Sequence, residues 1–352
     1  LYTMTVLFAT VTLALSALGI AGSELRLSRM RLAEAEARVV AEAGVRHAVR
    51  VIHDRGVVRF DTDVVQAWPG LFGTSPIAVV GHPSLTYAVT PSSDAADPAR
   101  VALLTAVGKA SDGSRRTVRV QLSLDGVFSP GAIYLPSGPL RTNFSGNSFS
   151  IDGRNTNLDG TLRPGVEVPG IGTAATAATD SVLGSLSSQQ RGNVLGVGGA
   201  PSVATSTGPT TDAITNHIVP SILARPGVVT NPKLGGNDVF GTASQPQTTY
   251  FTGSVRIDGN LQGAGILIVD RGLTISGSMT FTGLVIVRGS TDITSVQGNA
   301  RVLGALWAID PVLNVSGNAS VSYSTAALEL ANVTPSGNVL PQRVTATGWA
   351  ES

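Results

Sequence analysis

The run Leu1-Tyr2-Thr3-Met4-Thr5-Val6-Leu7-Phe8, continued through Gly22, decides the fold: about twenty apolar, small or hydroxyl residues pass before the first charge, Glu24. That length is the threshold for a membrane span. Directly after it, Glu24-Leu25-Arg26-Leu27-Ser28-Arg29-Met30-Arg31-Leu32 opens a charged stretch that continues to Val49 with apolar residues on one helical face and charges on the other. One unbroken helix over 1–55, apolar and then amphipathic, is expected. At a rise of about 1.5 Å per residue it makes a rod of roughly 80 Å, longer than an ordinary globular-domain helix. Such a rod needs other rods to pack against.

The 352 residues suffice for two or three domains, and 41 Gly with 19 Pro argue for many turns rather than many helices. Charged residues make up 13% and the net charge is +1. A nucleic-acid surface needs a basic patch, and the only dense one, Arg115-Arg116 to Arg119, lies in an alternating strand pattern, so nucleic acid is not an expected partner. With no cysteine, disulfides and thiolate metal sites are excluded; an extracellular chain then relies on packing, hydrogen bonds or bound ions. The start at Leu1, without Met or a basic leader, is read as a processed N-terminus. An arbitrary boundary or an uncleaved signal peptide is the alternative, against which the helix runs on with no small-residue cleavage site.

After the helix, Gly56 to Phe60 and the Pro/Gly-rich Trp68 to Gly73 read as a short strand and a loop. Ile77 to Val80, Leu85 to Val89, Val101 to Val107 and Thr117 to Leu124 are strand candidates bounded by turn residues. Ser111-Asp112-Gly113-Ser114 supplies a hairpin turn between the last two, which completes an antiparallel meander.

The C-terminal half carries an internal repeat. Ile257-Asp258-Gly259-Asn260, Ile275-Ser276-Gly277-Ser278, Val296-Gln297-Gly298-Asn299 and Val315-Ser316-Gly317-Asn318 recur at steps of 18, 21 and 19 residues. Gly265-Ile266-Leu267-Ile268-Val269, Gly283-Leu284-Val285-Ile286-Val287 and Gly304-Ala305-Leu306-Trp307-Ala308 fall between them. A period near twenty with one apolar strand and one glycine corner fits a right-handed parallel β-solenoid. Gly259, Gly277, Gly298 and Gly317 are its corners, where the chain is expected to turn with positive φ. A first copy at Gly131 to Leu135, Phe144 to Asn147 and Ile151 to Arg154 is interrupted by 155–248, expected as a surface excursion with short helices at Ala174 to Gln190 and Thr211 to Leu223. Val339 to Ser352 reads as a terminal strand and mobile tail. The expected fold is α+β: a long N-terminal α-helix (1–55), a small antiparallel β region (56–126), a C-terminal parallel β-solenoid (127–335) with a loop-rich insertion (155–248), and a tail (336–352).

Asn155-Thr156-Asn157-Leu158-Asp159-Gly160 matches the first half of an oxygen-ligand calcium loop, with Asp152 upstream and Glu167 one place beyond the expected bidentate acid. Asp152, Asn155, Asn157, Asp159 and Glu167 are therefore the candidate Ca²⁺ ligands, against hydrogen-bonded Asx turns as the alternative. Gly192 to Gly199 lacks the Lys-Ser/Thr ending of a phosphate loop and reads as a flexible loop. His47, His53, His82 and His217 are scattered, without the spacing of a zinc pair. Asn-x-Ser/Thr occurs at Asn143, Asn314, Asn318 and Asn332, two of them inside the repeat. Parallel solenoids also include polysaccharide-active enzymes, which need a stacked cluster of acids on one sheet. Asp258, Asp270, Arg271, Arg288, Asp292, Arg301 and Asp310 form no such column at the period, so no catalytic residue is assigned.

The apolar segment, the Arg/Glu-rich helix and Ala41-Glu42-Ala43-Gly44-Val45 resemble the N-terminal region of type IV pilins and pseudopilins, in particular the PilX-like group. The strand, Gly turn and Arg-Thr-Val strand ahead of Gly131-Ala132-Ile133-Tyr134 resemble the same group. The resemblance implies a helix held in the bacterial inner membrane and then packed in the core of an extracellular, cell-surface filament, with Gly19 and Gly22 where such helices melt. Pilins typically begin with Phe and carry Glu at the fifth position; Leu1 and Thr5 stand there instead, and if Leu1 is the mature first residue, docking cannot use that ion pair. Leu1, Thr5, Leu7, Phe8, Val11, Leu13, Leu15, Leu18, Gly19 and Gly22 are the candidate assembly residues. The expected function is that of a structural filament subunit whose partners are copies of itself, the membrane and the pilus or secretion assembly machinery. A minor or tip subunit that binds a surface or carbohydrate, and a membrane-anchored solenoid enzyme, are the alternatives.

Overall fold

The computed structural model describes residues 2–138, 141–295, 299–310, 312–332 and 338–351, and among these the side chains of 2–14, 17 and 292–295 lie outside the description. One helix, α1, runs without a break over Tyr2–Arg55. Ala, Arg and Glu, all strong helix formers, make up most of its second half. The chain divides into two compact units, Leu1–Val51 with Arg59–Ser123 and Thr345–Ser352, and Ile52–Val58 with Leu124–Val344.

In the first unit a five-stranded sheet is ordered Ile77–Val79, His82–Ser93, Val101–Lys109, Arg115–Val127 and Gln342–Glu351. The first four pair antiparallel, with Leu104 opposite Val120 and Ala106 opposite Val118. The Ser111–Ser114 hairpin is built as its sequence demands: Gly113 takes φ +94° and the Asp112 Oδ1 accepts the Ser114 N–H at 2.8 Å. Alternation along these strands buries Ala102, Leu104, Ala106, Val118, Val120 and Leu122. In the same unit Ala33, Ala37, Val40, Ala41, Val45 and Ala48 of α1 are buried. Small residues matter where helix and sheet meet, because a Cβ on Gly108 would come within 2.1 Å of the Ala37 carbonyl oxygen and 2.4 Å of the Ala41 nitrogen. Backbone touches backbone there.

The second unit corrects the expected fold class. In place of one solenoid of stacked coils with an excursion, it holds two parallel sheets. The larger follows the order Val203–Thr205, Ile171–Thr173, Ile133–Leu135, Ala300–Ala308, Ser278–Val287, Asn260–Val269, Gln247–Phe251, Val229–Thr230, with further strands branching from it. The smaller is ordered Val255–Ile257, Leu273–Ile275, Thr291–Ser295, Val312–Gly317, Arg141–Ser145. Two features separate this from a stack laid down in chain order. Leu306 and Trp307 pair with Ile133 and Tyr134, so a strand from early in the chain sits beside a late one. The 155–248 segment, expected at the surface, supplies strands at Ile171–Thr173, Val203–Thr205, Val229–Thr230 and Asn237–Phe240 to the larger sheet, and its Ile171, Val194, Ile214 and Val219 are fully buried. Apolar side chains of this kind cannot be left in solvent without cost, so the segment joins the core. Its helices lie at Thr176–Ser185 and within Thr211–Leu223.

The 18- and 21-residue spacing is pairing register: Gly265 lies opposite Gly283 and Gly283 opposite Gly304. All three have positive φ, +121°, +134° and +133°, in a region open almost only to glycine. Each would also place a Cβ on the preceding strand, 2.3 Å from the Gln247 oxygen for Gly265, 2.0 Å from the Gly265 oxygen for Gly283, and 2.0 Å from the Gly283 oxygen for Gly304. Of the expected corners, Gly317 has positive φ, +66°. Gly259 and Gly277 are required for a different reason: their Cβ positions lie 2.1 Å and 2.2 Å from the carbonyl oxygens of Gly236 and Gly259. Gly298 lies outside the described residues. A helix at Thr325–Asn332, which the sequence reading missed, buries Ala327, Leu328 and Ala331.

Gly283→Ala is expected to lower the unfolding free energy by on the order of 1–3 kcal/mol from backbone conformation alone, with the contact adding to that. Urea titration reads it, and a loss below about 0.5 kcal/mol, the range of an ordinary surface substitution, would contradict the glycine ladder.

Candidate functional site

The surface that stands out lies on α1. From Leu15 to Leu32 every described side chain is exposed, and Leu15, Leu18, Ile20, Leu25, Leu27, Met30 and Leu32 lie between 53% and 73% accessible. Val39, 64% exposed, continues it beside the buried Val40. Isolated exposed apolar residues are ordinary, but a contiguous run of large ones marks an interaction surface. Gly19 and Gly22 sit inside this exposed stretch with nothing within 4 Å of their Cβ positions, and the helix is continuous through both. Leu1 lies outside the described residues, as do the side chains of Thr5, Leu7, Phe8, Val11 and Leu13. Among the described residues no helix is long and apolar enough to cross a membrane.

The charges of α1 divide in the same way as its apolar residues. Toward the sheet they are engaged: Glu34 with Arg116 at 2.7 Å, Arg38 with Glu42 at 3.1 Å and Glu351 at 2.7 Å, and Glu36 accepting the Ser111 N–H and hydroxyl. Earlier on the helix, Glu24, Arg26, Arg29 and Arg31 have no partner among the described residues.

The calcium candidates are dispersed over separate hydrogen-bond systems. Asp152 takes Arg154 through both oxygens, at 2.7 to 3.2 Å. The buried Asn155 accepts the Thr325 N–H at 3.0 Å and its hydroxyl at 3.1 Å, at the start of the Thr325–Asn332 helix. Asn157 donates to the Thr161 hydroxyl, and Asp159 accepts that hydroxyl and the Thr161 N–H, which together hold its carboxyl below the usual range. Glu167 lies in a groove with His53, Phe128 and Arg343. Among the described residues no three His, Asp or Glu side chains gather as a metal group.

The histidines stay apart. His47 Nδ1 is 2.9 Å from the Tyr87 hydroxyl, with the Phe72 ring 4.8 Å away. Burial pushes the His53 imidazole down, with Asp54 opposing and Arg343 adding to the shift. Of the acids weighed for an enzyme, Asp258 is paired with Arg256, Asp270 with Arg288 and Tyr250, and Asp310 with the Val312 N–H, while the side chain of Asp292 lies outside the description. In the Gly192 to Gly199 stretch, a Cβ on Gly196 would come 2.4 Å from the Val168 oxygen, a close chain crossing rather than a free loop.

No family model and no curated protein matches this chain. Among solved structures it is similar to the competence-associated pilin ComZ from Thermus thermophilus, at 11% identity over 91% of this chain and 97% of that one, with a TM-score of 0.27. A likeness at that level carries no argument about fold or function.

The bonds of the Asn155 to Thr161 segment predict that Asn155→Ala costs about 1–3 kcal/mol, because the Thr325 groups lose a buried acceptor. A chelator should leave the melting temperature unchanged. A chelator-dependent drop with an indifferent Asn155→Ala would assign these oxygens to a cation instead.

Proposed function

We propose that this protein is a structural subunit that assembles, through α1, with copies of itself into a pilin-like extracellular filament. The observation that carries the reading is the exposed apolar half of α1. A helix of 54 residues places large apolar side chains at Leu15, Leu18, Ile20, Leu25, Leu27, Met30 and Leu32 in solvent, while Ala33, Ala37, Val40, Ala41, Val45 and Ala48 further along it are buried. Burying a Leu or Val is worth roughly 1.5–3 kcal/mol, so a handful of these contacts between copies holds subunits together. The apolar run ahead of Leu15 extends the same surface in sequence. In a filament it would be shared among neighbours, and before assembly it would be held in the inner membrane.

The glycine-rich sheets then serve as the subunit's body. Ion pairs such as Arg256 with Asp258 and Arg288 with Asp270 occupy their edges, which suits an architectural role. Whether the subunit forms the shaft or caps it is decided by the assembly itself.

Dilution of the detergent-solubilised protein into detergent-free buffer, followed by electron microscopy, tests this. Regular filaments of one subunit are expected. The Leu25→Glu/Leu32→Glu variant should keep its melting temperature, since both side chains are exposed, and remain dispersed. Filaments formed equally well by that variant, or single particles from the unaltered protein, would contradict the reading.

A further inference from the structure

The basic run Arg115-Arg116-Thr117-Val118-Arg119 is divided by the strand it lies on. Gly108 pairs with Arg116, and Gly108 is the residue whose Cβ would strike α1 at Ala37 and Ala41. Arg116 therefore shares the helix side of the sheet, where it meets Glu34 at 2.7 Å. Alternation sends Lys109, Arg115 and Arg119 to the opposite side. All three are exposed, and none has an ion-pair partner among the described residues.

Pairing sets these cations in two rows across three strands. Thr86, Lys109 and Arg115 lie side by side, and four residues along so do Thr90, Thr105 and Arg119. At about 3.3 Å per residue the rows are roughly 13 Å apart. The strand segments 82–93, 101–109 and 115–123 contain no Asp or Glu. Nearby acids are engaged elsewhere: Asp112 accepts the Ser114 N–H and hydroxyl, and Glu351 holds Arg38 of α1. A protein surface ordinarily mixes both signs, whereas this face carries cations over hydroxyls and no acid. Such a face matches a ligand that repeats carboxylates along a chain of hydroxyls. A guanidinium takes a carboxylate through two hydrogen bonds, an ammonium attracts it as a point charge, and a threonine hydroxyl both donates and accepts. Bases of single-stranded nucleic acid need aromatic rings to stack on, and Tyr87, the one aromatic residue of the three segments, lies opposite Gly108 on the helix side.

We propose that the face of this sheet turned away from α1 binds an acidic polysaccharide, with Lys109, Arg115 and Arg119 on its carboxylates and Thr86, Thr90 and Thr105 on its hydroxyls. The face belongs to a single subunit, so this binding does not depend on the filament reading.

Full-length protein in detergent, at low ionic strength, is expected to bind immobilised polygalacturonate, a uronate polymer, and to pass over neutral dextran; added salt should release it. Lys109→Ser/Arg115→Ser/Arg119→Ser should keep the melting temperature, since all three side chains are exposed, and weaken binding by about tenfold, the sum of three exposed ion pairs. Arg119→Ser alone should weaken it by about two- to fivefold, whereas Arg116→Ser, the same loss of charge on the helix side, should leave it unchanged. An equal loss from Arg116→Ser would mean attraction to net charge only and overturn the site. Full affinity in the triple variant, or no binding by the unaltered protein, would overturn it as well. Single-stranded DNA that displaces the polymer at lower concentration than free polygalacturonate does would make the ligand a nucleic acid and overturn the polysaccharide assignment.

Discussion

The structure depends on a mismatch between α1 and the sheet beside part of it. The Gly108 backbone approaches α1 where Ala37 and Ala41 leave room, and no larger residue fits there. That contact anchors the later turns of the helix. It cannot reach the earlier ones, where every described side chain from Leu15 to Leu32 is exposed. Hydrophobic surface of that extent is unfavourable in water, and it is the surface on which the proposed self-assembly rests.

The second unit shows the same economy in small residues. Gly265, Gly283 and Gly304 lie in register, and each holds a conformation in which a Cβ would strike the strand before it. Parallel strands can then stack with their apolar residues, Ile266 to Val269, Leu284 to Val287 and Ala305 to Ala308, fully enclosed. Strands buried on both faces read as continuous apolar runs, as these do. The polar residues at their ends are spent on each other, as with Asp270 between Arg288 and Tyr250.

Much of this was legible in the sequence where a period is long or a turn is chemically specified. The helix over 2–55, the Ser111–Ser114 hairpin and the register of the glycine repeat follow from spacing. The architecture around that repeat did not. Val203–Thr205 and Val229–Thr230 are too short to carry a period, so the 155–248 segment looked like an excursion although it joins the larger sheet. Glycine identity was visible, but whether it served a corner, a mid-strand positive φ or a close approach depends on neighbours far along the chain. In the Asn155 to Asp159 loop, Asn155 reaches Thr325, 170 residues away, and spacing within the loop cannot reveal that. On α1, the apolar residues that stay exposed can be separated from those that are buried only once the sheet is in place.

The central claim is that the early turns of α1 find their cover in other copies. Hydrogen exchange of the amides of residues 15–32, measured in dispersed and assembled protein, addresses it directly. Exchange in the dispersed chain should be fast, as for an exposed helix end, and should slow by on the order of a hundredfold on assembly. Equal rates in the two states, or strong protection already in the dispersed chain, would contradict the account.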